Sequence, residues 1–383
     1  MPKEDSRNVK LLGASSLFND IGSNTISAIL PFYIMALGGS GIAIGLVSGL
    51  RDGISSLFNV IGGWLSDKIG KRKPLVFLGY LISDIFKFLL LISNSWQQAV
   101  VFDSSSRIGK FRDSPRDAII AKSRKKRGRK FGIQQTMDSA GAVIGTALVL
   151  FFFWKLNLSF KSIILIASSV AVISLITISF VRDYQSKKIK ESLVKGGKSL
   201  AKNLKYFILV SSVFILGNFG FYMFLELRAK EITGSIIIPL ILFILFNVFY
   251  SAFPIFFGNL SDKIGRKKVL LIGYILFFLI SLGLIFASNI FYLGSLFALY
   301  GLVYAITDSN QRAFVSDLSG KARGTAFGFY YFATGIMAVI GGLIAGFLWN
   351  VSYSSMFVFI SAIAFISIIL LLFVKEKLNT SKV

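Results

Sequence analysis

The chain has 383 residues, of which 54% are hydrophobic and 16% are charged, and its formal net charge is +24. Soluble domains carry about 25% charged residues, so this composition excludes an ordinary soluble protein. The basic residues lie in short polar gaps between apolar blocks rather than on one face, which argues against a nucleic-acid partner. Because the chain contains no His and no Cys, it lacks a thiol nucleophile and Cys ligands for a metal, and we expect no metal and no cofactor.

Twelve apolar blocks of roughly 20 residues follow one another along the chain, and a helix of that length crosses a bilayer. They predict an all-α membrane protein whose helices, called spans 1 to 12 below, cover 11–37, 42–66, 75–93, 96–121, 131–154, 159–181, 203–230, 236–260, 269–288, 290–316, 324–349 and 352–374. The first ten residues do not form a cleavable signal peptide, so span 1 is expected to stay in the mature chain.

The polar gaps between spans predict the orientation in the membrane. Lys and Arg concentrate in every second gap, and the other gaps hold only Lys155, Lys161, Arg228 and Lys230. Cytoplasmic loops carry the excess of basic residues, so both termini of this multi-pass protein are predicted to be cytoplasmic, in the plasma membrane. The longest polar stretch is predicted to be a basic cytoplasmic linker (182–202) between an N-terminal six-helix bundle (1–181) and a C-terminal six-helix bundle (203–383).

The two halves are copies of each other at an offset of about 195 residues. The run from Gly63 to Lys73, GWLSDKIGKRK, recurs as GNLSDKIGRKK from Gly258 to Lys268. Each half has an even number of spans, so the copies enter from the same side and are related by a pseudo-two-fold axis along the membrane normal. A substrate is then expected to bind near mid-membrane, between the halves. The alternative is a duplicated bundle with no transport role.

The repeated GxLSDKIG motif, between spans 2 and 3 and again between spans 8 and 9, resembles the signature of the major facilitator superfamily. The resemblance covers the whole chain and implies a monomeric twelve-helix transporter that works by alternating access. It also implies a latch, in which the motif acid contacts the first turn of a helix in the opposite half. For Asp67 this is span 11, near Gly324, and for Asp262 it is span 5, near Phe131.

Gly70 and Gly265 are expected to form tight turns in these loops. The alternative for the neighbouring basic residues is that they serve only to set the topology. The residues predicted to form the cytoplasmic gate are Gly63, Asp67, Lys68, Gly70, Arg72, Arg112, Asp113, Arg116, Asp117, Gly258, Asp262, Lys263, Gly265, Arg266, Asp308 and Arg312.

A narrower resemblance appears in span 4, where the run RIGKFRDSPRDA from Arg107 to Ala118 is similar to a branch of efflux-type facilitators without an agreed substrate. Span 5 departs from the pattern of drug–proton antiporters, because Gly145 is followed by Thr146 where those proteins usually have Gly-Pro.

Span 4 carries seven charged residues, and each mid-membrane charge costs about 2.5–3.5 kcal/mol on insertion scales. We therefore predict that this helix lines a water-filled cavity or is paired internally. On a regular α-helix one stripe would hold Asp103, Arg107, Lys110, Ser114 and Asp117, and Asp103 and Arg107 would be close enough to pair.

The two halves differ in their polar residues, which predicts a division of labour. The N-half is expected to couple ions around a central cavity, with Asp20, Asp52, Asp103 and Asp138 as the best candidates for a proton site. The alternative for each of these acids is a static ion pair. The predicted residues of the N-half are Asp20, Asn24, Arg51, Asp52, Asp84, Lys87, Asp103, Arg107, Lys110, Gln134 and Asp138. The C-half has one interior acid near the outer end of span 7, Glu226, and is expected to form a semi-aromatic substrate wall. That wall comprises Asn218, Tyr222, Asn247, Tyr300, Tyr304, Gln311, Tyr330 and Thr334.

The favoured function is secondary transport, with proton-coupled efflux of a drug-like or metabolite substrate ahead of proton-coupled uptake of an organic anion or a sugar-like solute. A channel would also fit this sequence, as would a non-transporting sensor or lipid-handling protein on the same fold. An enzyme is not expected, because no nucleophile, metal cluster or phosphate-binding loop is present. The expected partners are a small-molecule substrate, a coupling ion such as H⁺, and the lipid bilayer.

Overall fold

The computed structural model describes residues 2–121, 127–183, 200–319 and 323–376, and within these ranges the regular structure is entirely helical. In the first half, span 1 is Pro2–Ala36, span 2 is Gly41–Ile69, and span 3 is Lys73–Leu89 with a 3-10 turn at Leu90–Ile92. Span 4 comprises Trp96–Ser106, Arg107–Arg112 and Asp113–Ala121, span 5 is Arg127–Trp154, and span 6 is Phe160–Ser179.

In the second half, span 7 comprises Lys202–Asn218 and Tyr222–Thr233, and span 8 comprises Ile237–Ala252 and Pro254–Ile264. Span 9 is Arg266–Gly283 with a 3-10 turn at Leu284–Phe286, span 10 is Ile290–Leu318, span 11 is Arg323–Val351 and span 12 is Tyr353–Leu372. Of the helices that the structure describes, ten are long and apolar enough to cross a membrane when the bent span 8 counts as one. Spans 1 and 4, the two with dense polar residues, complete the predicted twelve.

Most predicted bounds differ from the observed ones by a few residues, but two spans begin clearly earlier. Span 1 begins at Pro2 rather than residue 11, and span 5 begins at Arg127 rather than residue 131. Both additions are polar extensions, because hydropathy detects the part of a helix that lies in lipid and not its continuation into water. Residues 184–199 of the predicted linker lie outside the described residues.

Span 4 is not the continuous α-helix that the predicted stripe of charges requires. A 3-10 segment, Arg107–Arg112, separates its two α-helical parts. A 3-10 helix has three residues per turn, whereas an α-helix has 3.6. The predicted stripe from Asp103 to Asp117 is therefore wrong beyond Arg107. The interruption coincides with a close helix crossing, where Gly109 lies directly against the backbone of Gly79 in span 3.

The internal repeat extends to the way the helices are capped. Ser95 and Asn289 accept a backbone N–H at the start of spans 4 and 10, and Ser159 and Ser352 do so at the start of spans 6 and 12. A side-chain oxygen at this position satisfies one of the free N–H groups of a helix N-terminus. The related spans of the two halves thus begin in the same way.

In each half, a carboxylate that follows the sixth span binds the N-terminus of the third span. Asp183, after span 6, accepts the backbone N–H groups of Arg72 and Lys73 at 3.2 Å each. Glu376, after span 12, accepts the N–H groups of Arg266 and Lys267 at 2.5 and 3.2 Å. A carboxylate is favoured at a helix N-terminus. The same type of contact therefore connects the third and sixth spans in both halves.

We call the end of the molecule with the loops at Gly70 and Gly265 the basic face, and the other end the opposite face. Toward the opposite face, spans 2 and 11 form a glycine seam, defined as Gly41, Gly45, Gly49 and Gly53 of span 2 with the facing Gly335, Gly342 and Gly346 of span 11. A Cβ on Gly45 would overlap the carbonyl oxygen of Gly342, and one on Gly53 would lie 2.9 Å from the carbonyl oxygen of Gly335. The two halves therefore touch backbone to backbone there.

Toward the basic face the halves part. Asp308 and Arg312, on the inner side of span 10, have side chains 44% and 46% exposed. Asp117 of span 4 is similarly exposed, and a Cβ on Gly258 of span 8 would have open space around it. As far as the described residues show, the space between the halves is thus closed at the opposite face and open at the basic face.

Candidate functional site

A cavity of about 640 Å³, counting its open mouth, lies between the two halves. The N-half lines it with polar and charged side chains from spans 1, 2 and 4, namely Asn24, Ser27, Arg51, Asp52, Ser55 and Arg107. The C-half lines it mainly with aromatic side chains from spans 7, 8 and 10, namely Tyr222, Phe243, Phe246, Asn247, Tyr250 and Tyr304. The cavity is therefore polar on one wall and aromatic on the other.

Arg51 is the buried centre of the polar wall. Its Nε lies 3.3 Å from Oδ2 of Asp103, its Nη2 donates to the Ser27 hydroxyl, and its Nη1 donates to the Tyr222 hydroxyl at 3.1 Å. One guanidinium thus joins spans 1, 2 and 4 of the N-half to span 7 of the C-half. The predicted pairing of Asp103 with Arg107 is wrong, because Asp103 forms its ion pair with Arg51 of the neighbouring helix instead.

Asp52 makes a second connection between the halves. Its Oδ2 accepts the backbone N–H of Gly220 at 3.0 Å. Gly220 lies in the break of span 7 between Asn218 and Tyr222, where N–H groups lose their partners within the helix. Asp52 satisfies one of these groups with a charge-assisted hydrogen bond.

Arg107 faces the cavity in a different way. Its Nη2 lies 3.5 Å from the Ser27 hydroxyl, and within the described ranges its Nε has no hydrogen-bond partner and no carboxylate lies within 4.0 Å. A guanidinium offers five donors. Arg107 is therefore the cavity cation that is best able to bind an acceptor group of a ligand.

The aromatic wall is built on one face of span 8. The rings of Phe243 and Phe246 are stacked with centroids 5.5 Å apart, and Tyr222 stacks on Phe243 at 5.4 Å. Tyr304 meets Phe246 edge to face at 5.5 Å. Phe243 and Phe246 were missed among the predicted site residues, although their spacing to Asn247 and Tyr250 follows one helical face and could have identified them.

Two groups of predicted N-half residues lie away from this cavity. Lys87 pairs with Asp84 at 3.0 Å and donates to Asn19 of span 1 at 2.8 Å, in a fully buried cluster. Gln134 of span 5 donates to Asp138 of its own helix at 2.7 Å and to the Ser16 hydroxyl of span 1 at 2.6 Å. Both groups join helices within the N-half.

Two further acids of the N-half differ in their contacts. Asp138 lies 3.9 Å from Arg116 of span 4. Asp20 accepts a hydrogen bond from Asn19 at 3.3 Å and lies against Gly141, and the described part of the chain places no cation within 4.0 Å of it.

Several predicted residues of the substrate wall pack inside the C-half instead. Tyr300 donates to Asn218 at 2.9 Å, and Gln311 links Tyr274 and Tyr330 through hydrogen bonds of 2.9 and 2.8 Å. Thr334 donates to the backbone of its own helix. Of the predicted wall, the structure places Tyr222, Asn247 and Tyr304 at the cavity.

At the basic face, the predicted turns are confirmed at Gly70 and Gly265, whose φ angles are 75° and 102°. Arg72 donates to the Ala118 carbonyl at 3.1 Å, and Lys68 lies 4.8 Å from the centre of the Trp64 ring. Asp262 pairs with Arg266 of its own motif. The side chain of Asp67 lies outside the described residues, as does that of Phe131, so both latches stay predictions.

The charges of span 4 form a network at this face. Asp113 lies within 3.9 Å of Lys110, Arg112 and Arg116. Arg116 also pairs with Asp117 at 3.2 Å. The guanidinium of Arg112 is buried over the ring of Tyr80, 4.4 Å from its centre.

The remaining predicted gate residues are on the motif helices or beside them. Gly63 faces Ser114, Lys263 and Gly258 have open surroundings, and Arg312 pairs with Asp308 at 2.7 Å.

The family model of the major facilitator superfamily matches residues 12–240 and 207–383. An MFS-type transporter of Methanocaldococcus jannaschii is 47% identical over 382 residues, covering 97% of this chain and 96% of that protein. The multidrug resistance protein MdtH of Photorhabdus laumondii is 25% identical over 338 residues, covering 84% of this chain and 81% of that protein.

Solved structures with the same fold include two transporters. A mutant form of the nucleoside transporter NupG matches with a TM-score of 0.83 at 12% identity, covering 97% of this chain and all of that one. The human organic anion transporter MFSD10 matches with a TM-score of 0.68 at 16% identity, covering 96% and 99%. The twelve helices, the internal repeat, the tandem motif and these matches agree. The chain belongs to the major facilitator superfamily, a family of multi-pass membrane transporters that are carriers rather than enzymes.

Proposed function

We propose that the chain moves a small solute across the plasma membrane by alternating access, as proton-coupled efflux of a drug-like or metabolite molecule. The observation that carries this proposal is the cavity between the halves, closed at one face and open at the other. A carrier needs contacts that close one side while the other is open. The glycine seam and the contacts of Arg51 and Asp52 with span 7 supply them at the opposite face.

The basic loops support placing the open side in the cytoplasm, because cytoplasmic loops carry the excess of Lys and Arg. In this orientation both termini are cytoplasmic and the cavity faces the side from which an exporter loads its substrate. The transport unit that we propose is the monomer, since the two halves of one chain supply both the polar and the aromatic wall of the cavity.

The aromatic wall supports a substrate with a flat apolar part. Stacked rings such as Phe243 and Phe246 present large apolar faces with little conformational freedom to lose. The resemblance to proteins named for multidrug resistance agrees with a drug-like substrate.

Arg107 favours a second candidate, transport of an organic anion. Two cations, Arg51 and Arg107, line the cavity, but Asp103 already neutralises Arg51. Arg107 can therefore bind a carboxylate or another acceptor without first breaking an ion pair. A bidentate contact with a carboxylate is also the geometry that a guanidinium favours.

Transport by counterflow would test alternating access. Purified protein is reconstituted in liposomes loaded with unlabelled compound, and uptake of the labelled compound is followed for ethidium and for 1-naphthoate. We expect trans-acceleration of ethidium, or of naphthoate if the anion is the substrate. Passive equilibration of either compound without acceleration would instead indicate a pore. Binding of either compound without any transport would support a sensor.

Proton coupling has its own test. A pH gradient across the same liposomes is expected to drive the transported compound uphill. The variants Asp20→Asn, Asp52→Asn, Asp103→Asn and Asp138→Asn are compared with Glu231→Gln, a matched control at an exposed carboxylate of span 7. We expect at least one Asp variant to keep counterflow and lose uphill transport. If all four still transport uphill, these acids do not couple the proton.

A further inference from the structure

Glu226 of span 7 is a buried acid to which the proposed transport cycle gives no role. Its side chain is 0% exposed, and neither carboxylate oxygen has a hydrogen-bond partner within the ranges that the structure describes. No Lys or Arg among the described residues lies within 4.0 Å of it. An ionised carboxylate in such a place costs several kcal/mol, because nothing replaces the water that it loses.

The position of Glu226 connects it to the closure at the opposite face. Tyr222 lies one helical turn before it on the same side of span 7, and the Tyr222 hydroxyl accepts from Arg51 of span 2. Arg51 is the cation whose electric field reaches Glu226. Glu226 therefore lies directly behind the contact that joins the two halves.

Arg51 does not pair with Glu226 in this conformation, because its donors are used elsewhere. Asp103, the Ser27 hydroxyl and the Tyr222 hydroxyl take its three nitrogen atoms. An ionised Glu226 would compete for Arg51 and would weaken these contacts. A neutral Glu226 leaves them intact and can be buried at much lower cost.

We propose that Glu226 is a proton-binding site of the opposite-face closure: the halves close there when Glu226 is protonated, and its ionised form favours the open arrangement. The proton binds to the carboxylate from water while that face is open and returns to water after the face has opened again, so charge and atoms balance. The inference rests on the proposed alternating access and adds a site distinct from the four Asp residues proposed for coupling.

Other titratable groups also lie near this closure. Spans 1, 2, 8 and 10 pack on the segment that holds Glu226. Span 2 contributes Arg51 and Asp52, and Asp103 of span 4 stands behind Arg51. Asp52 accepts from Gly220 and Asp103 pairs with Arg51, so both acids also contact the residues that close this face. The comparison of wild type with Glu226→Gln separates the effect of Glu226 from theirs, because the variant keeps both Asp residues.

The remaining titratable groups on those spans make other contacts. Spans 8 and 10 contribute the hydroxyls of Tyr250, Tyr300 and Tyr304, and Asp308 lies on the basic side of span 10, where Arg312 pairs with it. Span 1 contributes Asp20, which contacts Asn19 and span 5. None of these side chains makes one of the contacts that close the opposite face.

A distance measurement tests the proposal without any transport. The chain has no native cysteine, so spin labels can be placed on the exposed Gln97 and Ser288 through the double variant Gln97→Cys and Ser288→Cys. Gln97 lies in the first turn of span 4 and Ser288 in the loop before span 10, both at the opposite face and in different halves. Pulsed electron paramagnetic resonance then reports the fractions with the face closed and open, in nanodiscs between about pH 5 and about pH 9, for wild type, Glu226→Gln and the control Glu231→Gln.

We expect the closed-to-open ratio of wild type and of Glu231→Gln to fall by about tenfold or more as the pH rises, since one proton can change an equilibrium by up to tenfold per pH unit. Glu226→Gln should keep the closed ratio over the whole range, and Glu226→Asp should restore the dependence on pH. A ratio that does not change with pH in wild type, or an equal change in Glu226→Gln, overturns the proposal.

Thermal unfolding provides a second readout if the labelled variants are poorly behaved. At about pH 5, wild type and Glu226→Gln should unfold at similar temperatures. At about pH 9, wild type should unfold at a lower temperature than Glu226→Gln, because only wild type has an ionisable group buried at position 226. Identical behaviour at both pH values contradicts the proposal. Failure of counterflow with a normal pH-dependent distance change would reject the transport function and leave the proton site intact.

Discussion

The carboxylate of Asp52 in the first half holds the backbone N–H of Gly220 in the second half at 3.0 Å. This hydrogen bond joins a charged side chain to the break in span 7, and it must be lost whenever the halves part at the opposite face. The contact therefore sets part of the free energy of closure, and it can be changed without altering the cavity walls elsewhere.

Asp52→Asn keeps an acceptor for Gly220 but removes its charge. Hydrogen bonds to charged groups contribute about 1.5–3 kcal/mol and neutral ones about 0.5–1.5, so the closed arrangement should lose roughly a factor of ten. The spin-label distance across the opposite face measures this shift. Asp183→Asn is the matched control, because Asp183 also accepts backbone N–H groups but within one half. An equal shift in the control would show that the effect is not specific to the closure.

Arg107→Gln should weaken the binding of an organic anion such as 1-naphthoate by about tenfold or more, since a hydrogen bond to a charged group contributes about 1.5–3 kcal/mol. Binding of ethidium, a cation, should not weaken. Calorimetric titration of the purified protein provides the affinities. Arg228→Gln serves as the control, because Arg228 lies outside the cavity lining, over the Tyr353 ring. Unchanged naphthoate binding in Arg107→Gln would remove the support for an anionic substrate.

Gly45→Ala should prevent the glycine seam from closing, because its Cβ would overlap the Gly342 carbonyl oxygen and neither backbone can yield cheaply. Overpacking of this kind costs about 1–3 kcal/mol, which corresponds to a decrease of about fivefold to about 150-fold in the ratio of closed to open molecules. Gly258→Ala, where the added Cβ meets open space, should leave the distance distribution unchanged. A closed seam in Gly45→Ala would contradict the backbone contact between spans 2 and 11.

The buried pair of Asp84 and Lys87 should matter for stability rather than for transport. Removing one partner of a buried pair leaves an uncompensated charge and costs about 3–5 kcal/mol, so Asp84→Asn and Lys87→Met should each lower the unfolding temperature strongly. The double variant should recover much of the loss. Asp308→Asn, in a half-exposed pair, should cost less than about 1 kcal/mol. Strictly additive losses in the double variant would argue against the pairing.

The sequence predicted the fold because hydropathy, loop charge and the repeat depend on the membrane and not on detailed packing. It also predicted which half would be polar and which aromatic, as the walls around Arg51 and Phe246 illustrate. Charges inside a membrane protein must be solvated or paired, and the dense charges of span 4 indicated as much before any geometry was known.

The partners of individual charges could not be predicted in the same way. Asp103 of span 4 pairs with Arg51 of span 2. Helix packing brings Arg51 closer to Asp103 than Arg107, which lies four residues further along span 4. The 3-10 segment of span 4 also follows from packing, where Gly109 crosses Gly79. The local sequence does not distinguish a 3-10 helix from an α-helix at Arg107–Arg112. The choice between the two helix types depends on contacts with residues that are distant in the chain.

The seam between spans 2 and 11 brings two bare backbones together, and this has a thermodynamic consequence. The glycines themselves have no side chains to immobilise, so their meeting costs little side-chain entropy. Inside lipid there is also no hydrophobic gain, because hydrocarbon chains solvate the separated helices equally well. The junction is therefore favoured by close van der Waals packing and by the hydrogen bond from Gly41 to Asn350, and opening it requires a bound proton or solute to offset those contacts.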